Sequence, residues 1–75
     1  GEEKMYLINN VSVGLKWALE HKKVKANKIA FQKLSELYKE VCELKHPFRY
    51  EDINYSDLTT ALEISYESLE VINEL

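Results

Sequence analysis

The amino-acid sequence predicts an all-α fold, a small antiparallel bundle of three main helices. Apolar residues recur at three- and four-residue spacings in three separate segments, the period of a helix with one buried face. The 75 residues include only 2 Gly and 1 Pro, too few for the many turns of a β architecture. Hydrophobic residues make up 45% and charged residues 31%, which is typical of a folded chain. We therefore expect residues 1–75 to form one domain, either whole or excised from a longer protein.

The first helix is predicted to run from Asn9 or Asn10, either of which suits the N-cap, to His21. Residues 5–8 are expected either to extend this helix or to form a short extended arm. Gly14 lies inside it at a cost of about 1 kcal/mol relative to alanine, so we expect another backbone to approach Gly14 or the helix to be interrupted there. The face predicted to be buried consists of Ile8, Val11, Leu15, Ala18 and Leu19.

The second helix is predicted from Lys28 to about Leu44, with Asn27 as its N-cap. Residues 22–26 precede it as a basic connector. Its apolar residues have the 4-3-4-3 spacing of a helix packed on neighbours, and Phe31, Tyr38 and Cys42 flank that row on one side. The row consists of Ala30, Leu34, Leu37, Val41 and Leu44.

The second connector, residues 45–54, is predicted to fold back over the bundle. Pro47 disfavours a helical conformation at His46. Phe48, Tyr50 and Ile53 are too apolar for a free loop. The connector therefore has room for a short fourth helix between the second and third main helices.

The third helix is predicted to begin at Ser56, a good N-cap, with Asp57 at the positive end of the helix dipole. Its apolar residues span about 220° of its circumference, more than two neighbouring helices would cover. One row is predicted to face the core, and the other is predicted to form a self-association face through Ile64, Val71 and Leu75. The core row consists of Leu58, Leu62, Ser65, Leu69 and Ile72, and the other row of Ala61, Ile64, Val71 and Leu75.

Charge is unevenly distributed along the chain. The net charge is −3, but residues 16–46 carry +4 and residues 47–75 carry −6. The two segments are expected either to neutralise one another across the bundle or to present two opposed charged patches. The polar side of the predicted third helix carries a straight acidic ridge of Glu63, Glu67, Glu70 and Glu74.

Several functional classes are disfavoured by residues that the chain lacks. Cys42 is the single cysteine, so we expect no internal disulfide and a reducing, intracellular location in cytoplasm or nucleus. Cys42, His21 and His46 are too few ligands for a structural zinc site. There is no Gly-rich phosphate loop and no evident nucleophile with its base, so no enzyme, cofactor or small-molecule substrate is expected. No apolar run approaches the roughly 20 residues of a membrane helix.

The aromatic residues of the first helix indicate a binding role. Val13 and Trp17 form an i, i+4 pair, and with Tyr6 they point away from the predicted core face. Tryptophan is enriched at binding hot spots. Two interpretations stay open: the connector containing Phe48 and Tyr50 covers Trp17, or Trp17 anchors a partner.

The favoured function is a non-catalytic protein–protein interaction module, an adaptor or scaffold. It would dock another protein through the aromatic helix face and select a basic partner with the acidic ridge, or it would form a homodimer. The expected partner-binding residues are Tyr6, Val13, Trp17, Phe48, Tyr50, Glu63, Glu67, Glu70 and Glu74.

Two alternatives belong to other classes. One is a nucleic-acid-associated domain that uses a basic patch, although the negative net charge and the near absence of arginine count against it. The other is a small inhibitor or immunity-type protein that blocks an enzyme with its acidic face. The basic patch would consist of Lys22, Lys23, Lys25, Lys28 and Lys33.

Overall fold

The computed structural model describes residues 2–45 and 53–75. These residues form four helices and no strand: α1 (Glu2–Glu20), α2 (Lys22–Ala26), α3 (Lys28–Leu44) and α4 (Tyr55–Asn73). The predicted all-α class is confirmed. Helices α1, α3 and α4 pack against one another as a three-helix bundle, and the short α2 packs against α3 and α1.

Helices α1 and α4 run in the same direction, and α3 runs antiparallel to both. The starts of α1 and α4 lie side by side, because Lys4 Nζ donates a hydrogen bond to the Ile53 carbonyl oxygen at 3.1 Å. Their C-terminal halves also lie side by side, where Ala18 and Ile72 line one groove. The end of α3 returns to α1, where Lys45 Nζ lies 3.2 Å from Ser12 Oγ.

The core fills the space between the three long helices. Ile8, Leu34 and Val41 are its largest fully buried side chains, and each contributes about 1.5–3 kcal/mol through removal of apolar surface from water. The core cluster consists of Ile8, Leu15, Val24, Leu34, Leu37, Val41, Ile53, Ala61 and Ile64.

Helix α1 begins earlier than the sequence predicts. It starts at Glu2 rather than at Asn9 or Asn10, and residues 5–8 are helical rather than an extended arm. The physical reason is Ile8, whose complete burial in the core stabilises the N-terminal turns of the helix. Of the predicted buried face, Ile8 and Leu15 are buried, whereas Val11, Ala18 and Leu19 are half-buried against the core. The expectation at Gly14 is wrong, since the helix is continuous there and nothing lies within 4 Å of the position that a Cβ would occupy.

The basic connector between the first two predicted helices is itself a short helix, α2. Its N-cap is His21, whose Nδ1 accepts a hydrogen bond from the Lys23 backbone N–H at 3.2 Å. Val24 is 2% exposed and fixes α2 to the core. The short helix predicted between the second and third main helices falls on residues 46–52, outside the described residues.

Helix α3 agrees with its prediction in bounds, cap and buried row. The Asn27 side chain accepts a hydrogen bond from the Ala30 backbone N–H at 3.0 Å and so satisfies one free donor of the first turn. Four residues of the row are buried and Leu44 is half-buried. The buried four are Ala30, Leu34, Leu37 and Val41.

Helix α4 begins one residue before its predicted start, and its N-cap is Asn54 rather than Ser56. Asn54 Oδ1 accepts a hydrogen bond from the Asp57 N–H at 3.0 Å, and Asp57 Oδ2 accepts one from the Asn54 N–H at 3.2 Å. This reciprocal pair is a capping box, which satisfies two backbone donors where Ser56 alone would satisfy one.

The two apolar rows of α4 have exchanged the predicted roles at their central residues. Ala61 and Ile64 are buried at 1% and 2% exposure, whereas Leu62 and Leu69 of the expected core row are 45% and 53% exposed. Ser68 is buried and donates from Oγ to the Ile64 carbonyl at 2.7 Å. Small residues at 61 and 68 suit close packing of α4 against its neighbours, and this leaves the larger aliphatic row in solvent.

Candidate interaction surface

Trp17 is an exposed residue of α1. Its side chain is 70% exposed, and its partners in the predicted aromatic face, Tyr6 and Val13, are 67% and 43% exposed. An indole in water is an unfavourable arrangement for so large an apolar group. The structure thus places all three predicted residues of α1 on the surface, on the side away from the core.

The Ile53 end of the second connector lies far from Trp17, whereas the Lys45 end lies nearer, at Ser12, five residues before Trp17 in α1. Ile53 contacts Lys4 in the first turns of α1, and Lys45 contacts Ser12. Thirteen residues separate Lys4 from Trp17, about 20 Å along a helix. Phe48 and Tyr50, the predicted partner-binding residues of this connector, lie outside the described residues.

A row of surface residues on α4, exposed except for the half-buried Ser65, runs beside an exposed row of α1. The α1 row is Leu7, Asn10, Gly14 and Trp17, and the α4 row is Leu62, Ser65, Leu69 and Ile72; both have 3-4-3 spacing, which keeps residues on one helix face. We call these two rows the α1–α4 face.

A groove follows the middle of the α1–α4 face. Its cavity of about 180 Å³ has a floor of small side chains, including Gly14, Ala18 and Ser65, with Leu69 and Ile72 on its wall. None of its nine lining residues is charged. A second depression of about 450 Å³ continues it toward the C-terminal ends of the helices, where Trp17, Ile72 and Leu75 meet His21, Lys23 and Val24. The two depressions share Ala18 and Ile72, so they form one continuous surface, and its basic residues, His21 and Lys23, line the part near the C-terminal ends of the helices.

The three residues predicted for self-association lie in three different parts of the structure. Ile64 is in the core, so it cannot contact a second copy of the folded chain, and this part of the prediction is corrected. Val71 is half-buried against the core cluster, on the side of α4 that faces α3. Leu75 is 42% exposed and shares the depression with Trp17. The apolar surface of α4 is thus made by Leu62, Leu69 and Ile72 instead.

The acidic ridge lies on the opposite flank of α4, along a groove between α4 and α3. This acidic groove has a volume of about 310 Å³ and a partly apolar floor of Leu37 and Val71. Its walls carry five glutamates and one lysine, Lys33. Glu63 is exposed but lies outside the lining. The five glutamates are Glu36 and Glu40 of α3 and Glu67, Glu70 and Glu74 of α4.

The basic and acidic segments pair very little across this groove. Lys33 is the one residue of the predicted basic patch that lines it, and it is outnumbered by carboxylates. Lys22, Lys23 and Lys25 are exposed on α2, and Lys28 is exposed at the start of α3. Because α3 contributes Glu36 and Glu40 to the groove along with Lys33, the ridge faces more carboxylates than lysines there.

Cys42 is half-buried in the last turns of α3, one turn after Tyr38. A hydrogen bond with the Cys42 side chain, the charge of its thiolate and partial burial raise the pKa of the Tyr38 hydroxyl above its usual 10.0. This pair lies beside the core row of α3 and away from both grooves. Within residues 2–45 and 53–75 no three His, Cys, Asp or Glu side chains come together as a metal site.

None of the helices described is both long enough and apolar enough to cross a bilayer.

Sequence reasoning found the exposed side of α1 but missed the α4 row that completes the face. The signal for that row was Ser65, a polar residue in the middle of the row assigned to the core. A second signal was Gly14, whose lack of a side chain opens the groove rather than admitting another segment of the same chain.

Comparison with protein-family models, with curated proteins and with solved structures finds no match to this chain.

Proposed function

We propose that this protein is a non-catalytic protein-interaction module that docks a helical surface of its partner onto the α1–α4 face. The observation that carries the proposal is the exposure of Trp17 in a depression shared with Ile72 and Leu75, which continues the uncharged groove that contains Leu69. A groove between two helices accepts a further helix by the same ridge-and-groove packing that holds the bundle together.

The energetic argument is the apolar area left in water. Leu62, Leu69 and Ile72 are each more than one third exposed, as are Val13 and Trp17. Apolar burial is worth about 25 cal/mol per Å², so covering these side chains provides a driving force of several kcal/mol. Part of it is lost to the entropy of association. Trp17 is expected to contribute most, because it has the largest apolar surface.

The acidic groove supports a separate role in partner selection. Five carboxylates on two adjacent helices create a negative potential that a basic segment would relieve. This groove and the α1–α4 face lie on opposite flanks of α4, so they form two surfaces rather than one. We propose that the first provides affinity and the second provides charge selection and steering.

The experiment is site-specific photocrosslinking of the full chain in cells. A benzophenone amino acid replaces Val13, at the edge of the face, or Ile29, which is 68% exposed on α3 and lines a different depression. We expect a discrete adduct from position 13 and none from position 29. Adding Trp17→Ala should reduce the position-13 adduct at least fivefold, which corresponds to about 1 kcal/mol of binding free energy, with an unchanged circular dichroism spectrum. Equal labelling at both positions would contradict the proposal.

One observation supports the nucleic-acid alternative. Trp17 and Lys23 line the same depression, and an aromatic beside lysines is a common arrangement in proteins that bind single strands. Titration of a labelled oligonucleotide at several salt concentrations tests this alternative. A steep loss of affinity with salt would support it, and no binding at low salt would exclude it.

A further inference from the structure

We propose that one end of the bundle binds peripherally to the surface of a bilayer that contains anionic lipids. At this end α1 stops, α2 crosses to α3, and α4 stops beside them. We call it the basic end and define it as residues 17–31 and 72–75. The inference goes beyond the docking function and does not depend on it.

Three exposed apolar side chains lie together at the basic end. Trp17 and Ile29 are 70% and 68% exposed, and Leu75 is 42% exposed. Leu75 connects the other two, since it lines one depression with Trp17 and another with Ile29. Lys23 of α2 lines the first of these depressions, so apolar and cationic side chains share this end of the molecule.

The charge of the basic end is opposite in sign to that of the rest of the molecule. Its side chains include four exposed lysines and two exposed glutamates, a net charge of +2. The remaining residues that the structure describes carry five lysines and nine acidic side chains, a net charge of −4. The lysines of the basic end are Lys22, Lys23, Lys25 and Lys28, and its glutamates are Glu20 and Glu74.

This separation of charge runs along the length of the molecule. Helices of 17 and 19 residues span about 26–29 Å, so they lie along the 39 Å axis and not across the axes of 18 and 16 Å. The molecule is therefore dipolar along its long axis. A negatively charged surface attracts the basic end and repels the body, which orients the molecule end-on.

The size and chemistry of the basic end favour a bilayer over the other anionic partners. Its cross-section of 18 × 16 Å offers roughly 300 Å², well below the about 800 Å² that each partner buries in a standard protein interface. A bilayer provides binding energy in another way, because indole and aliphatic groups enter its interfacial region while lysines stay among the headgroups. Nucleic-acid bases would stack on Trp17 but not on Ile29 or Leu75.

The test is co-sedimentation of the full chain with lipid vesicles. We expect at least tenfold tighter binding to phosphatidylcholine vesicles with about one-third phosphatidylserine than to pure phosphatidylcholine vesicles. Lys25→Gln should weaken the binding to acidic vesicles about fivefold, the contribution of one lysine near such a surface. The matched control is Lys39→Gln, which removes an exposed lysine from the middle of α3 and should change the binding less than about twofold.

A second pair of variants tests the apolar part of the contact. Ile29→Ser should weaken the binding to acidic vesicles at least fivefold, because it removes a side chain that enters the interface. Leu62→Ser changes an exposed aliphatic residue in the first half of α4, away from the basic end, and should leave the binding unchanged. Both residues lie at the surface, so neither variant should unfold the protein.

The outcomes separate this inference from the proposed function. Equal binding to both kinds of vesicle, or binding to neither, overturns the inference, and a position-13 adduct would then leave the docking function intact. Equal losses in Lys25→Gln and Lys39→Gln overturn the assignment to the basic end. A labelled single-stranded oligonucleotide that binds through Lys25, with no binding to vesicles, assigns the basic end to nucleic acid instead. Vesicle binding without a position-13 adduct supports the inference and contradicts the docking function.

Discussion

Lys4 donates a hydrogen bond from its ammonium group to the main-chain carbonyl of Ile53 at 3.1 Å, across 49 residues of sequence. The same ammonium lies 4.3 Å from the centre of the Tyr55 ring, the first residue of α4. Lys4 therefore holds the start of α4 beside the start of α1. This contact sets the parallel alignment in which the exposed rows of the two helices become one face.

Replacing Lys4 with methionine should destabilise the fold by about 1 kcal/mol, because a charged hydrogen bond and a cation–π contact are lost while the aliphatic stem is kept. Urea denaturation measures the change. Lys16→Met is the matched control, since Lys16 is exposed on the same helix. Equal effects of the two substitutions would show that the Lys4 contact contributes nothing to stability.

The exchange of apolar rows on α4 predicts opposite behaviour for two aliphatic residues. Ile64→Ala should cost about 2–5 kcal/mol, because it opens a cavity among fully buried neighbours. Leu69→Ala should change the stability of the dilute chain by less than about 0.5 kcal/mol, as is usual for surface sites. Thermal unfolding of both variants at low concentration tests this. A larger loss at Leu69 would restore the arrangement first predicted from the sequence.

The capping box at the start of α4 can be tested against the cap expected from the sequence. Asn54→Ala removes the side-chain acceptor for the Asp57 N–H and should destabilise the protein by about 1 kcal/mol. Ser56→Ala should be nearly neutral, since Ser56 is exposed inside the first turn. Chemical denaturation of the two variants decides which residue caps the helix, and a dominant effect at Ser56 would contradict the structure.

Gly14→Ala should stabilise the dilute chain by about 0.5–1 kcal/mol, because alanine favours the helix and its methyl group meets nothing within 4 Å. Differential scanning calorimetry measures the gain. The methyl group also enters the groove, so the same variant should give less of the position-13 adduct than the wild-type chain. Loss of stability in the monomer would mean that another segment packs on Gly14.

The Tyr38–Cys42 contact predicts a pH effect in the alkaline range. The pKa of Tyr38 is raised in the folded chain, so the folded state holds this proton more tightly than the unfolded state. Stability from this group is therefore complete below pH 10 and declines as the pH rises above it. Absorbance titration of the tyrosines should show a component whose midpoint pH is lower in Cys42→Ala than in the wild-type chain. Tyr38→Phe should remove that component, and its persistence would assign it to another tyrosine.

The parts of the fold that could be predicted from sequence are those in which one physical signal dominates. In α3, Asn27 fixes the start and a narrow apolar row fixes the buried face, so the structure follows the prediction closely. In α1, Ile8 and Leu15 identify the core side, and Trp17 therefore falls on the surface.

The buried side of α4 could not be predicted from the sequence because its apolar residues cover more than half of its circumference. Periodicity then identifies a helix but does not say which half is buried. The side of α4 that is buried is the one that allows the shorter distance between helices. Ala61 and Ser68 permit close approach to the neighbouring helices, whereas Leu62 and Leu69 do not. The cap was missed for a related reason, because a reciprocal pair such as Asn54 and Asp57 outweighs a single serine.

Collisional quenching of Trp17, the single tryptophan of the chain, by acrylamide tests most directly whether the proposed docking surface is open in the folded chain. We expect free quenching of the folded, dilute chain, since the indole is 70% exposed. Strong protection of Trp17 in the dilute wild-type chain would contradict the proposed docking surface, because the indole would then be buried within the molecule.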